Sequence, residues 1–131
     1  MDINFIDNIG NSPLTYSVIN KSLPIIELLM NQGARLIYFD KTILRTAIES
    51  GDIDIIDYFI KKGADVNYID KNNNSPLIYA LQKKSLDIVK ILMENNADCN
   101  YRKDDNNQSV VFLKAVETGD QQIVDYLIEK N

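Results

Sequence analysis

Histidine is the residue that most often carries acid–base and metal chemistry, and this 131-residue chain has none. The usual general base, triad member and metal ligand is therefore missing. Nucleophilic catalysis would fall to the single cysteine, Cys99, which has no histidine or basic cluster in the sequence to activate it. Cys99 is expected instead as a small buried apolar residue beside a turn, in the place that Val66 holds one repeat earlier. Two carboxylate pairs, Asp52/Asp54 and Asp104/Asp105, have the type for acid–base work or calcium binding. Neither has the spacing of a calcium loop, and carboxylates at helix starts are ordinarily solvated and held by the helix dipole. There is no glycine-rich phosphate loop. No catalytic residue, cofactor or metal is expected, and an enzyme is not.

Bulk properties narrow the class further. Nineteen acidic residues against fourteen basic ones give a net charge of −5, and nucleic-acid binding depends on clustered Lys and Arg. No nucleic-acid partner is expected. No apolar run approaches the roughly 20 residues that span a bilayer, and Met1-Asp2-Ile3-Asn4-Phe5 lacks the basic and apolar regions of a secretory signal. A lone cysteine cannot form a disulfide within the chain. A reducing, cytoplasmic home is expected, the interior of a host cell included.

The remaining residues organise themselves into a repeat. Ser12-Pro13-Leu14, Thr42-Ile43-Leu44 and Ser75-Pro76-Leu77 each open a short apolar-periodic segment, and a second segment comes after it. The units close on Gly33-Ala34, on Gly63-Ala64-Asp65-Val66-Asn67 and on Asn96-Ala97-Asp98-Cys99-Asn100. Small residues at Ser17, Ala47, Ala80 and Ala115 mark one helical position at successive intervals of 30, 33 and 35 residues. Such a period signals a solenoid whose units bury their faces against each other, with length variation confined to loops.

In the most regular unit, Ser75 is an N-cap and Pro76 occupies the first helical position, where its missing N–H costs nothing. Leu77, Ala80 and Leu81 share a face. Ser85 caps a second helix carrying Ile88, Val89, Ile91, Leu92 and Met93. Gly51 and Gly119 stand where Lys21 and Lys84 stand in the other units, just past the first helix, at a position that favours positive φ. Asn96 replaces Gly33 and Gly63 by the same logic, and Gly10, Asn73 and Asn106 or Asn107 mark the turn tips. In the fourth unit Val110-Val111-Phe112 stands in place of the usual helix opening, which puts Phe112 at the leucine position. Gln121, Gln122, Asp125 and Glu129 give the last helix a polar outer face suited to closing a stack.

These residues resemble the ankyrin repeat family over the whole chain. The resemblance rests on Asp70, Ser75-Pro76-Leu77 and Ala80, on Gly51-Asp52-Ile53-Asp54-Ile55-Ile56, and on Gly63-Ala64-Asp65-Val66-Asn67, in the family's order and spacing. The family's histidine after the Pro is replaced by Thr15, Arg45, Ile78 and Leu113. The resemblance implies an all-α, ankyrin-type solenoid of about four helix–turn–helix units joined by β-hairpin-like loops. The chain then forms one domain, with units at approximately 7–36, 37–69, 70–102 and 103–131, entered in mid-unit.

The resemblance also implies a function: non-enzymatic recognition of a protein, of unknown identity, through a concave face made by the loops and first helices. The positions that map there are Ile9 and Asn11; Tyr38, Phe39 and Lys41; Lys71, Asn72 and Asn74; and the helix ends at Glu49, Gln82, Lys83 and Glu117. An aromatic column of Phe5, Tyr38, Tyr68 and Tyr101 either forms a binding ladder or stacks as an internal spine. Phe39 is the best single anchor. A monomer is expected. The alternatives are a structural or self-associating segment of a larger array, and a host-directed effector that displaces a host complex.

Overall fold

A hydrogen-bonding side chain stands before seven of the helices and accepts from the free amide three residues on. Ser12 accepts from Thr15, Thr42 from Arg45, Asp52 from Ile55, Ser75 from Ile78, Ser85 from Ile88, Ser109 from Phe112 and Asp120 from Ile123. These caps satisfy amides that the helix itself cannot. At the first, Thr15 also returns its hydroxyl to the Ser12 amide, 3.3 Å away, so it closes a capping box where the family has histidine.

The computed structural model describes residues 1–38, 41–101 and 109–130. Among them the helices run in pairs: α1 (Pro13–Ile19) with α2 (Leu23–Asn31), α3 (Ile43–Ser50) with α4 (Ile53–Lys61), α5 (Pro76–Gln82) with α6 (Leu86–Glu94), and α7 (Val110–Glu117) with α8 (Gln121–Lys130). A two-residue ribbon, β1 (Ile37–Tyr38) and β2 (Lys41–Thr42), precedes α3, pairing antiparallel with Ile37 opposite Thr42 and Tyr38 opposite Lys41. Pro24 falls in the first turn of α2, where it breaks no hydrogen bond. The all-α repeat architecture expected from the sequence is the one observed.

The chain forms two compact units, Met1–Ala64 and Asp65–Asn131. In the first, α1 packs against α2 and α3, and α3 against α4. Leu14, Val18, Ile26, Leu44, Ile48, Ile56 and Phe59 make its core. In the second, α5 packs against α6 and α7, with α8 against α6 and α7, around Leu77, Ile78, Leu81, Val89, Leu92, Val111 and Ile123. Each such side chain contributes about 1.5–3 kcal/mol through burial. The small residues Ser17, Ala47, Ala80 and Ala115 are all buried, which lets the two first helices within each unit approach closely.

Backbone conformation follows position rather than residue type. Lys21 and Lys84 both take φ of 54°, at the place where Gly51 takes 79°. Asn96, at 69°, substitutes for a glycine in the same way. The lysines accept a left-handed conformation that costs an L-residue about 1 kcal/mol.

The fourth pair departs from the expected phase. Ser109 rather than Val110 is the cap, so α7 starts one residue early. Counted back from Ala115, Val111 is buried at the position where Ile43 and Pro76 are buried, and Phe112, at the leucine position, is turned outward. A second correction concerns Cys99, which is half-buried like Val66, because both lie on a loop rather than within the core.

Two asparagines tie loops across a repeat. The Asn4 carboxamide donates to the Gly33 carbonyl (3.2 Å) and accepts from the Arg35 amide (2.9 Å). Asn67 does the same with the Asn96 carbonyl (3.0 Å) and the Asp98 amide (2.7 Å). Both bonds saturate backbone groups left over at a helix end.

Candidate protein-binding surface

The turns that carry the expected contact residues are built by one carboxylate each. In the first unit, the Asp7 Oδ1 atom accepts from the Ile9 amide (3.0 Å) and the Asn11 amide (2.9 Å). The backbone closes the same turn, with Gly10 N–H donating to the Asp7 carbonyl at 3.0 Å. The other carboxylate oxygen accepts from the Tyr16 hydroxyl. In the second unit Asp70 repeats the arrangement, accepting from the Asn72 (2.9 Å) and Asn74 (3.0 Å) amides and from the Tyr79 hydroxyl. An Asx-type turn thus becomes a rigid platform locked to the following helix.

The two locks differ in setting. Asp70 and Tyr79 are buried, whereas Tyr16 is exposed. In the exposed pair the Tyr16 hydroxyl, then the Asn11 amide, hold the Asp7 carboxyl below its ordinary value of 3.8. The same bond to Asp7 raises the Tyr16 hydroxyl above 10.0. At Thr46, which occupies the corresponding position in α3, the hydroxyl is buried without a hydrogen-bond partner. The signal for this lock was present in the sequence as an identical nine-residue spacing, Asp7 to Tyr16 and Asp70 to Tyr79.

Among the described residues Ile9, on these platforms, is the most open large apolar residue after Met1, and Lys71 and Asn72 are exposed. Asn11 and Asn74 are half-buried, their amides committed to the turn. Lys41, on β2, lines a shallow recess with Gly10 and Thr42, so ribbon and turn meet in the first unit. Tyr38 is described through its backbone alone. Phe39 lies outside the described residues, as do the Asp104/Asp105 pair and the Asn106–Asn107 turn. Of the aromatic column, Phe5 is exposed, too open for a packed spine, while Tyr68 and Tyr101 are half-buried.

The helix ends Glu49, Gln82, Lys83 and Glu117 are all exposed. Glu49 pairs with Arg45 at 3.0 Å and Glu117 with Lys114 at 3.2 Å. Gln82 and Glu117 come together with Leu81, Lys84, Lys114 and Thr118 around a cleft of about 150 Å³ in the second unit. A larger cleft of about 290 Å³, which sequence reasoning missed, is lined by Cys99, Asn100, Ser109, Val111, Phe112, Leu127 and Ile128. Among the described residues no three His, Cys, Asp or Glu side chains gather as metal ligands, and no helix is long and apolar enough to cross a membrane.

Paired antiparallel helices, repeated on a fixed scaffold with polar turns held out from it, define a repeat protein of the interaction class. A family model of ankyrin repeats in three copies matches residues 38–103, and another of ankyrin repeats in many copies matches 79–128. The chain belongs to the ankyrin repeat family. It is 34% identical to one ankyrin repeat protein of fowlpox virus (strain NVSL) over 73 residues, which cover 53% of this chain and 39% of the relative. It is 29% identical to a second fowlpox ankyrin repeat protein over 72 residues, covering 54% and 51%. A third relative, the B-cell lymphoma 3 protein homolog of Mus musculus, is 30% identical over 87 residues, covering 63% of this chain and 19% of that protein. The chain thus spans at most about half the length of these relatives. Ankyrin repeats are in general protein–protein interaction modules, and the fold is a non-enzymatic one.

Proposed function

We propose that this chain recognises a protein partner through the face formed by its turns and the ends of its first helices, the concave side of an ankyrin array. One observation carries the reading. The same Asp–Tyr lock holds two turns whose displayed residues differ, Asn8-Ile9 in one unit and Lys71-Asn72 in the other. A fixed platform with changing display serves recognition, since packing alone would not require the change. Apolar Ile9 together with Tyr38, Phe39 and Lys41 supplies the anchor. Lys71, Asn72, Asn74, Gln82 and Lys83 supply polar specificity, and Glu49, Tyr68, Tyr101 and Glu117 complete the surface. The binding unit is one copy of a single ankyrin domain, without cofactor or nucleic acid, in a reducing cytoplasm.

The test is a capture from cytoplasmic extract followed by titration of the purified partner. Wild type is compared with the single variants Ile9→Asp and Phe39→Ala and with the double variant Lys71→Glu/Gln82→Ala, each checked for unchanged helicity. Loss of at least tenfold in affinity on two of the three supports the reading. Equal affinity for all of them overturns it.

A further inference from the structure

The cleft of about 150 Å³ in the second unit gathers positive charge in a chain whose net charge is −5. Leu81, Gln82 and Lys84 line it from the end of α5, and Lys114, Glu117 and Thr118 from the end of α7. Leu81 is buried and forms a wall. The Thr118 hydroxyl is committed, donating to the Ala115 carbonyl at 2.6 Å and accepting from the Asp120 amide at 3.1 Å. Lys114 and Glu117 pair at 3.2 Å, but their side chains are 40% and 66% exposed. A pair so open to water is weak, and a second carboxylate can join or displace Glu117. Among the described residues the Gln82 carboxamide has no hydrogen bond, and the Lys84 ammonium has no carboxylate partner. Lys83, exposed beside them, adds a third positive charge.

The corresponding positions on α1 and α3 in the first unit are filled differently. Lys21 stands at the place of Lys84, but Ile19 replaces Gln82 and buried Thr46 replaces Lys114. Glu49, at the place of Glu117, is bonded to Arg45 at 3.0 Å. First helices therefore pack side by side with one lysine at these positions. The second lysine and the glutamine of the α5/α7 cleft are not demanded by the scaffold.

We propose that this cleft receives a glutamate or aspartate side chain from an acidic segment of the protein partner. It rests on the recognition face proposed for the turns and first-helix ends, to which it assigns a chemistry. Lys84 and Lys114 supply the charge, Gln82 donates a hydrogen bond, and Leu81 packs against the methylene stem. A lysine or arginine there would meet like charges. An apolar group would strip water from two ammonium groups and give nothing in return. Charge complementarity of this kind selects the partner and speeds its arrival more than it tightens the complex.

The test is a heteronuclear NMR titration of the 131-residue chain with a blocked peptide of alternating glutamate and alanine. The same peptide with glutamine for glutamate, and inorganic phosphate, are the controls. The glutamate peptide alone is expected to move the amide signals of Gln82, Lys84, Lys114 and Thr118, and to saturate. Lys84→Gln/Lys114→Gln should weaken that binding about fivefold. Lys61→Gln/Lys62→Gln removes the same charge outside the cleft and should leave it unchanged, with far-UV circular dichroism verifying both folds. Signals that stay still overturn the proposal, as does equal movement by the glutamine peptide or by phosphate, or equal weakening by the two double variants. Neither Ile9 nor Phe39 lines this cleft, so their variants report on the recognition face separately. Peptide binding with capture unchanged in Ile9→Asp and Phe39→Ala would refute that face and leave the cleft.

Discussion

Helices α5 and α7 carry similar apolar content and end in very different surroundings. Helix α5 buries six of its seven residues, Pro76 to Leu81, while α7 buries two of eight, Val111 and Ala115. Their caps are alike, each a serine accepting from the amide three residues on. The two helices form from the same local signals and differ in burial, so local sequence decides that a helix forms while packing decides how much of it is covered.

The sharpest way to test this contrast is to truncate one leucine in each helix. Leu77→Ala in α5 should cost about 2–5 kcal/mol, the range for a large-to-small change in a packed core. Leu113→Ala in α7 should stay within about 0.5 kcal/mol at an open site. Urea denaturation followed by circular dichroism measures both, and equal costs would break the comparison.

The ends of the two helices give a smaller effect. Lys84→Gly after α5 should stabilise by about 1 kcal/mol, by removing the Cβ from a left-handed residue. Gly119→Ala after α7 should cost a similar amount. Gly119 has φ of 72° and a Cβ built there meets nothing within 4 Å, so the penalty is conformational alone. Thermal midpoints in opposite directions are the expected readout.

A third substitution sets α3 against α5. Tyr79 finds Asp70, but the Thr46 hydroxyl is buried with no partner. Thr46→Val should therefore raise stability by about 1 kcal/mol, where such a change at a bonded hydroxyl lowers it. A loss on denaturation would mean that the hydroxyl is satisfied in solution.

The smallest expected effect is in the pH dependence of the exposed Asp7–Tyr16 lock. Asp7 is lowered in the fold, so its contribution is present above 3.8 and is lost as pH falls through the folded value below that. Tyr16 is raised, so its contribution is present below 10.0 and is lost as pH rises through the higher folded value. Tyr16→Phe should flatten both windows in a melting-temperature profile. An unchanged profile would mean that the exposed bond does not form in water.

Much of this architecture could be read from residue types. Serine before proline and leucine located the first helices, and alignment of Lys21 and Lys84 with glycines foretold their positive φ. The phase of α7 could not be read. Val110, Val111 and Phe112 are all apolar, so only packing selects which side chain goes inward. The exposure of Ile9, Lys71, Asn72, Gln82 and Lys83 followed from turn and helix-end positions. The Asp–Tyr locks needed geometry, because a nine-residue spacing is meaningful only once a turn folds back on its helix. The partner is not legible at all, since affinity depends on the complement of a surface that this chain does not contain.

The asparagine bridges have a consequence for change over time. Asn4 and Asn67 each reach 29 and 31 residues along the chain through these bonds, about one repeat. A lesion, an insertion or a rewritten turn is then answered by its immediate neighbours alone. Units can be gained, lost or redrafted without renegotiating the rest of the molecule. That locality is what lets a surface keep pace with a target that is itself changing.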